Sequence, residues 1–431
     1  MSELCFSASE RARMLLADLG CAAEVTGEGD HPALGWRRAG LMDVTGRPDG
    51  PSLVCPAPLT IAADAALLAF SALAPGAKLP SSGALLLGER ARLMELKRGG
   101  RVSANGTCRL IDAADGRFAL SLARDDDWDL LPAWLEAEAA DWNAIAAAAS
   151  NGSATELVDR GIELGLPIAL DRTVAAPRNW FERSGASVAR PSGASPLVVD
   201  LAPLWAGPLA ASLLGMAGAR VIKVESLSRP DGARRGHAGF FDLLNGGKES
   251  VALDFRTAEG RDALLRLIDR ADIVIEGSRP RALAQLGVDA EAAVAAGKIW
   301  ISITGHGREG PAAERVGFGD DAAVAAGLAS VMAAGWHEAM FAGDAIADPL
   351  TGLHVALAAL AAWRKGEGGL IALSLARTVA YAIGMGTVDR EGLAEWRALA
   401  ERDTAPLYPL RRAMASARPL GADTIKVLGE C

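Results

Sequence analysis

A chain of 431 residues is two to three times the usual length of one domain, so we expect several folded units and a substantial core. Half of the residues are hydrophobic and 23% are charged, which excludes a wholly disordered protein. The net charge of −9 opposes binding to a nucleic-acid backbone, and the apolar stretches are interrupted well before the roughly 20 residues that a membrane span needs.

Cysteines and histidines point to an unmetallated protein of a reducing compartment. The five cysteines are widely spaced and form no CxxC pair, which favours free thiols over a disulfide framework or a zinc site. The histidines show neither HxxxH nor HExxH spacing, so we expect no metal. The first residues lack the basic-then-apolar order of a signal peptide. We therefore expect a cytoplasmic protein without nucleic-acid or membrane partners.

Residues 1–100 are expected to form an N-terminal α/β segment. A helical pattern capped by Ser9 and stopped by Gly20 is followed by a short apolar run over residues 21–25, which predicts one helix and one strand. A second helical pattern begins at Leu59 and ends at Pro75 and Gly76.

Residues 101–170 are expected to form a small α+β domain. Two apolar runs bridged by Ala-Asp-Gly predict a hairpin, and residues 127–149 then follow a helical pattern. Residues 171–195 are dense in Pro, Gly and Ser and are expected to be a surface linker, with a boundary near Pro191.

Residues 196–431 are expected to form the larger domain. Short β-branched runs alternate with amphipathic helices of about 10 to 15 residues, a pattern typical of βαβ units. Strong helical patterns cover residues 320–334 and 348–365. The sequence therefore predicts an α/β protein, with a doubly wound parallel sheet and a second, smaller α+β domain.

Basic and glycine-rich loops follow several of these strands. Ligands of open α/β sheets bind beyond the carboxyl ends of strands, so the loop with Arg229, Arg234 and Arg235 is either a phosphate site or a solvated charged loop. Arg279, just before a predicted helix, ends another strand in the same way. The later loop over residues 305–310 resembles a dinucleotide fingerprint, but Pro311 indicates a mobile glycine loop instead.

Two carboxylates and one tryptophan carry open alternatives. Asp320 and Asp321 lie beside glycines ahead of an apolar helix, where they either cap the helix or act as an open carboxylate nucleophile. Trp205 follows a strand and is either part of the core or a stacking platform.

Four segments carry the most specific pattern of the sequence: DLAPLWAGPLAASLLGMAGARVIKVE, LNGGKESVALDFRTAEGRDALLRLIDRADIVIEGSRP, ISITGHGREGP and GFGDDAAVAAGLAS. Together they resemble the class III coenzyme A transferase family, which includes formyl-CoA and carnitine-CoA transferases and α-methylacyl-CoA racemases. The resemblance implies a Rossmann-like sheet that binds coenzyme A as a substrate, with no covalently bound cofactor. It assigns the CoA contacts to seven residues: Leu204, Trp205, Arg234, Leu253, Arg256, Gly277 and Ser278. Arg279 is added to them because of its position at the end of a strand.

The chain departs from the family pattern in its order and at its catalytic position. About 190 residues precede the sheet, the segment resembling the family's small domain comes first, and residues 8–25 resemble a second, worn copy of the first helix and strand. Gly319 occupies the position of the usual catalytic aspartate, so Asp320 comes one residue late and Asp321 is its rival. Gly277 and Ser278 also replace a common Asn-Phe pair.

The resemblance implies a CoA transferase that moves coenzyme A from an acyl-CoA to a small carboxylic acid through an aspartyl-CoA thioester. Two alternatives remain open: a non-catalytic CoA-binding subunit, and a racemase or epimerase acting at the acyl α-carbon with His306 as a base. Family members form interlocked homodimers, so a homodimer is also expected, with its threading open.

Overall fold

Two β-sheets organise the part of the chain that the computed structural model describes, residues 7–189 and 195–431. The boundary expected near Pro191 lies outside the described residues. The strands are β1 (Cys108–Asp112), β2 (Arg117–Ser121), β3 (Ile168–Leu170), β4 (Glu182–Ala189), β5 (Leu197–Asp200), β6 (Arg220–Ser226), β7 (Glu249–Leu253), β8 (Ile273–Glu276), β9 (Ile299–Thr304) and β10 (Glu367–Ser374).

The α-helices of the described chain lie around and between these sheets. In chain order they are α1 (Ala8–Asp18), α2 (Pro32–Arg38), α3 (Leu59–Leu73), α4 (Gly83–Leu93), α5 (Asp125–Trp128), α6 (Leu131–Leu135), α7 (Trp142–Ala149), α8 (Ala154–Leu164), α9 (Ala206–Met216), α10 (Ala238–Asn245), α11 (Ala258–Arg270), α12 (Pro280–Ala284), α13 (Ala290–Ala295), α14 (Gly319–Ala325), α15 (Leu328–Trp336), α16 (Ala347–Lys365), α17 (Leu375–Ile383), α18 (Arg390–Arg402) and α19 (Thr424–Leu428).

The large sheet has the strand order β4-β10-β9-β8-β5-β6-β7. Its strands are parallel except β4, which pairs antiparallel with β10 at one edge. From β5 the chain winds outward through β6 and β7, and it then returns to the other side of β5 with β8. The predicted Rossmann-like, doubly wound sheet is therefore confirmed, and its switch point lies between β5 and β8.

The small sheet lies in the segment expected to be the smaller α+β domain. β1 and β2 form the predicted hairpin, with Cys108 opposite Ser121, and β3 pairs with β2. Helices α6, α7 and α8 cover it with a separate hydrophobic core. The single helix expected over residues 127–149 is wrong, because Glu136 ends α6 in the left-handed region at φ 54° and Asp141 caps a new helix.

The N-terminal segment, as described from residue 7 to residue 100, contains helices and no strand. The strand expected over residues 21–25 is wrong: this run has no neighbouring strand to pair with, and α1 packs on α3 instead. The predicted stop at Gly20 is confirmed by its φ of 65°, but the cap is Ser7 rather than Ser9. The expected α/β character of this segment is therefore corrected to helical.

The N-terminal helices and the large sheet share one hydrophobic core. Helix α3 packs against α16, and α16 packs against α9. The approach of α16 to α9 requires a glycine, since a Cβ at Gly352 would lie 2.7 Å from the carbonyl oxygen of Ala206. Strand β4 occupies residues 182–189 of the interval expected to be a linker. Gly327, at φ 87°, divides the helical pattern over residues 320–334 into α14 and α15.

Among the described residues, no helix is both long and apolar enough to cross a membrane. Within the same ranges, no group of three or more His, Cys, Asp or Glu side chains is arranged to hold a metal ion.

Candidate active site

The switch point brings together two of the predicted pairs of site residues. Leu204 and Trp205 follow β5, whereas Gly277 and Ser278 follow the adjacent strand β8. The two loops touch, because a Cβ at Gly277 would lie 3.3 Å from the Cβ of Ala202. Gly277 therefore permits a close approach of the loops at the crevice where doubly wound sheets bind ligands.

The loop after β5 is strained, and a buried ion pair holds it in place. Leu204 lies in the left-handed region at φ 66°. This conformation is unfavourable for a residue with a β-carbon, and residues that adopt it cluster at functional sites. Its amide donates to Asp231 Oδ1 at 3.0 Å. Asp231 is in turn paired with the buried Lys223, whose Nζ also donates to the carbonyl of Ala202 at 3.0 Å. The ion pair thus anchors both ends of the strained turn.

A second buried ion pair supports the same turn. Lys248 Nζ lies 2.8 Å from Asp200 Oδ2, and it also donates to the Pro208 carbonyl and to Asn245 Oδ1. Burial lowers the pKa of Lys248 to about 8, against the opposing effect of Asp200. The other oxygen of Asp200 accepts the amide of Ala202, so this pair fixes the end of β5 relative to α9.

The other expected CoA contacts are more dispersed. Arg234 is held by a fork of hydrogen bonds to Glu225 and lies over the ring of Phe241 at 4.7 Å. Arg256, after the edge strand β7, is exposed and paired with Asp254, whereas Leu253 is buried. All of them still lie at the carboxyl ends of parallel strands.

The β8 end carries the remaining expected contacts. The amide of Ser278 donates to Glu276 Oε2 at 3.1 Å, and Arg279 is the residue that precedes α12. Burial raises the pKa of Glu276 to about 7, although the hydroxyl of Ser302 donates to its other oxygen. The buried carboxylate of Glu276 is therefore hydrogen-bonded to the expected binding loop.

Asp321 caps its own helix. Its Oδ1 accepts the amide of Phe318 at 2.9 Å, whereas its Oδ2 is buried without a hydrogen-bond partner. Burial raises the pKa of Asp321 to about 8, so it carries a proton at neutral pH. This geometry favours the capping interpretation over the nucleophile for Asp321.

Asp320 is buried, with 7% of its surface exposed, and both of its oxygens are engaged. Oδ2 accepts from Asn105 Nδ2 at 2.9 Å, and Oδ1 accepts from the amide of Ala345 at 3.0 Å. Burial and the charge of Asp344 raise the pKa of Asp320 to about 6, against the opposing effect of Arg90. Asp320 is therefore largely ionised at neutral pH, unlike Asp321.

A cavity of about 10 Å³ adjoins Asp320, which is about the room that one water needs. Apart from Asp320, its lining is apolar: Ala323, Val324, Leu328, Ala329, Met340, Phe341, Ala342 and Ile346. The side of Asp320 that faces this cavity is thus closed to a molecule larger than a water.

Gly319, which stands where the resemblance expects the catalytic aspartate, has no room for a side chain. A Cβ there would lie 2.3 Å from Asp348 Oδ2 and 2.5 Å from the carbonyl oxygen of Ala345. Asp348, in the first turn of α16, thus fills the volume that a side chain at position 319 would need. No motif in the sequence singles out this carboxylate.

Asp320, Asp344 and Asp348 form a carboxylate cluster, and Arg90 from the N-terminal segment neutralises part of its charge. The Arg90 guanidinium forms two hydrogen bonds with the buried Asp344, at 2.7 and 2.6 Å. Its Cζ also lies 4.6 Å from the ring centre of Trp205, so Trp205 is both a core residue and a platform for this cation. The cluster therefore joins α4, α14 and α16 to the start of α9.

The glycine loop lies on the other side of the start of α14. A Cβ at Gly305 would lie 2.9 Å from the Cα of Gly317, so the two backbones are in direct contact. His306 is buried, and its Nε2 lies 3.9 Å from Asp321 Oδ2. Burial and the charge of Arg315 lower the pKa of His306 to about 3, so the imidazole is neutral.

Sequence comparison places these elements among known proteins. Residues 196–408 match the model of the family described as CoA-transferase family III. The chain is 34% identical over 197 residues to the succinate–glutarate CoA-transferase of Agrobacterium fabrum, covering 41% of this chain and 49% of that protein. It is also 34% identical over 210 residues to the (R)-2-hydroxy-4-methylpentanoate CoA-transferase of Clostridioides difficile, covering 44% and 52%.

The chain spans about half the length of the curated relatives that it matches. Among solved structures, a CAIB/BAIF family protein from Brucella suis is 34% identical, with 45% of this chain and 55% of that chain covered and a TM-score of 0.40. Arg90 and Asn105 lie before the matched region, so residues outside it complete the carboxylate cluster.

Proposed function

We propose that this chain, whose residues 196–408 match the model of CoA-transferase family III, transfers coenzyme A from an acyl-CoA to a carboxylic acid through a covalent aspartyl-CoA thioester. The observation that carries the proposal is the carboxylate cluster of Asp320, Asp344 and Asp348, beside the turn that follows β5. The CoA thioester binds at the switch point, near Leu204, Trp205, Gly277 and Ser278.

The chemistry divides one difficult transfer into four easier steps. A carboxylate oxygen attacks the thioester carbonyl, the C–S bond breaks, and an aspartyl anhydride and CoA thiolate form. The thiolate attacks the aspartyl carbonyl, which releases the first carboxylic acid and leaves aspartyl-CoA. The acceptor carboxylate then attacks this thioester and displaces the thiolate, which gives a second mixed anhydride. The thiolate attacks the carbonyl of the acceptor in this anhydride, which forms the new acyl-CoA and frees the aspartate.

Asp320 and Asp321 differ in their ionisation at neutral pH. Asp320 is the nucleophile that the sequence favours, and its pKa of about 6 leaves it ionised at neutral pH. Asp321 is protonated there and bonded to its own helix start, which makes it a poor nucleophile. Backbone amides of the glycine loop, which lies against Gly317, are suited to stabilise the oxyanion of each tetrahedral intermediate.

The substrate class is an acyl-CoA donor with a small carboxylic acid as acceptor. The relatives are named for succinate, glutarate and 2-hydroxy-4-methylpentanoate, which share a carboxylate and differ in the rest of the molecule. A homodimer in the cytoplasm also belongs to this proposal.

The direct test is chemical trapping of the intermediate. The full chain is incubated with acetyl-, butyryl- or succinyl-CoA and then with hydroxylamine, which converts an aspartyl thioester into a hydroxamate, and peptide mass mapping follows. A hydroxamate on a cluster carboxylate, together with exchange of labelled CoA between donor and acceptor, is expected. Binding of CoA with neither adduct nor exchange would refute transfer and support the non-catalytic CoA-binding subunit.

A second candidate, racemisation at the acyl α-carbon, rests on the neutral His306 facing Asp321 at 3.9 Å. This pair places a neutral imidazole, which can accept a proton, beside a protonated carboxyl group, which can donate one. Incubation with a chiral 2-methylacyl-CoA in deuterated water distinguishes the two reactions, because racemisation replaces the α-proton with deuterium. Absence of deuterium in the recovered thioester would eliminate this candidate.

A further inference from the structure

The catalytic position of the sequence motif is sterically filled in this chain. A Cβ at Gly319 would overlap the carboxylate of Asp348, at 2.3 Å from Oδ2. The volume expected to hold an aspartate side chain from α14 therefore already holds a carboxylate, but that carboxylate comes from α16. A carboxylate therefore lies at this point, and α16 supplies it in place of α14.

The three members of the cluster differ in access. Asp344 is buried and bonded twice by Arg90. Asp320 is buried, holds hydrogen bonds on both oxygens, and adjoins a small apolar cavity with room for about one water. Asp348 is the least buried of the three residues as a whole, although burial of its carboxyl group raises its pKa to about 7. Of the three, Asp348 is therefore the carboxylate that a substrate can reach with the least rearrangement.

Asp348 also lies on the side of the cluster that faces the expected CoA site. The backbone amide of Ala206 donates a hydrogen bond toward it, and Ala206 directly follows Trp205 at the start of α9. Arg90, which lies over the Trp205 ring, contributes an attractive charge to the same carboxylate. A thioester bound at the turn after β5 would thus meet Asp348 before it met Asp320.

We propose that Asp348 is the carboxylate that attacks the acyl-CoA and carries the aspartyl-CoA thioester, in place of the motif position that Gly319 has vacated. This inference rests on the proposed function and assigns its nucleophile. An Asp348 oxygen bonds to the acyl carbon as the C–S bond breaks. When the thiolate then attacks the aspartyl carbonyl, the bridging oxygen leaves with the first carboxylic acid. Asp320, with its fixed hydrogen bonds, is a positioning residue that holds the Ala345 end of the loop before α16.

The oxygen balance supplies a test that does not depend on any variant. Because the released acid carries one oxygen from the aspartate and the acceptor carboxylate restores it, repeated turnover with an acceptor whose carboxylate is labelled with ¹⁸O transfers the label to the reacting side chain, where peptide mass mapping detects it. Peptide mass mapping after hydroxylamine trapping then names that side chain. We expect the hydroxamate, formed from acetyl- or butyryl-CoA, on the peptide that contains Asp348.

Three matched variants complete the experiment: Asp348→Asn, Asp320→Asn and, as a control, Asp262→Asn at an exposed position on α11. We expect Asp348→Asn to abolish both the adduct and CoA exchange while the protein remains folded by circular dichroism. Asp320→Asn should retain the adduct at position 348 with a reduced rate, because it changes positioning alone. The control should match the unmodified protein.

The outcomes separate this inference from the proposed function. A hydroxamate on Asp320 or Asp321, with none on Asp348, would overturn the assignment and leave CoA transfer standing. Full exchange by folded Asp348→Asn would also overturn it. Absence of both adduct and exchange with every donor would refute the proposed function, and the assignment with it.

Discussion

Substitution of Gly319 by alanine tests the central geometric observation. The added Cβ would lie 2.3 Å from Asp348 Oδ2, 2.5 Å from the Ala345 carbonyl oxygen and 2.7 Å from the Ala345 Cβ. The Asp348 side chain is able to rotate away, but the two Ala345 atoms belong to a segment packed against α14. Reaching ordinary contact distances requires the start of α14 and the segment before α16 to separate by about 1 Å.

That displacement has a calculable cost in stability and in rate. Overpacking of this kind destabilises by about 1–3 kcal/mol, and because Gly319 is the first residue of α14, the helix propensity of alanine offsets little of this cost. A shift of about 1 Å between a reacting carboxylate and its substrate lowers turnover by about 10²-fold. We therefore expect the thermal midpoint to fall by a few degrees and the rate of CoA exchange to fall by about 10²-fold.

Gly369→Ala is the matched control, because a Cβ at this position in β10 has nothing within 4 Å. Both variants are followed by thermal denaturation and by exchange of labelled CoA at saturating donor. If Gly319→Ala kept the midpoint and the exchange rate of Gly369→Ala, the contact between α14 and Asp348 would not constrain the site, and the reasoning above would be refuted.

Three further predictions concern buried charge. Since Asp348 acts as an ionised nucleophile and burial raises its pKa to about 7, kcat/KM should rise as the pH increases through about 7; a profile flat between about pH 5.5 and 8.5 would contradict this. Burial raises the pKa of Asp321 to about 8. Between about pH 4 and 8 the folded state therefore holds a proton that the unfolded chain has released, and the folded state loses stability as the pH rises through that window. Asp321→Asn should therefore gain stability relative to the unmodified protein from pH 5 to pH 8 in urea denaturation, and an unchanged difference would argue against the shift. Lys248→Met should lower the free energy of unfolding by about 3–5 kcal/mol, because it leaves Asp200 buried and unpaired; a loss below about 1 kcal/mol would show that water or another group replaces the ammonium.

Local patterns predicted the large sheet well. Each strand from β5 to β9 is a short β-branched run that a helix separates from the next, so its order and direction follow from general rules of connection. The strand expected over residues 21–25 failed because an apolar run of five residues is equally suited to a buried loop between helices. Nothing within that run distinguishes the two.

The site was predicted less completely, for a different physical reason. Asp348 lies 28 residues after Asp320 and has the local pattern of an ordinary acidic residue in the first turn of a helix. Arg90 and Asn105 lie before residues 196–408, the region that matches the family model. Only the packing of α4 and α16 around the start of α14 brings these residues together, and the absence of a side chain at Gly319 was the one signal in the sequence.

The shared core has a consequence for the synthesis of the chain. Helix α3 is buried almost all round, and part of that burial is against α16, which follows it by roughly 290 residues. At about 5–20 residues per second, a ribosome would complete α16 roughly 15–60 s after α3. Throughout that interval the apolar face of α3 lacks its partner, so the nascent N-terminal helices depend on being shielded until the last third of the polypeptide emerges.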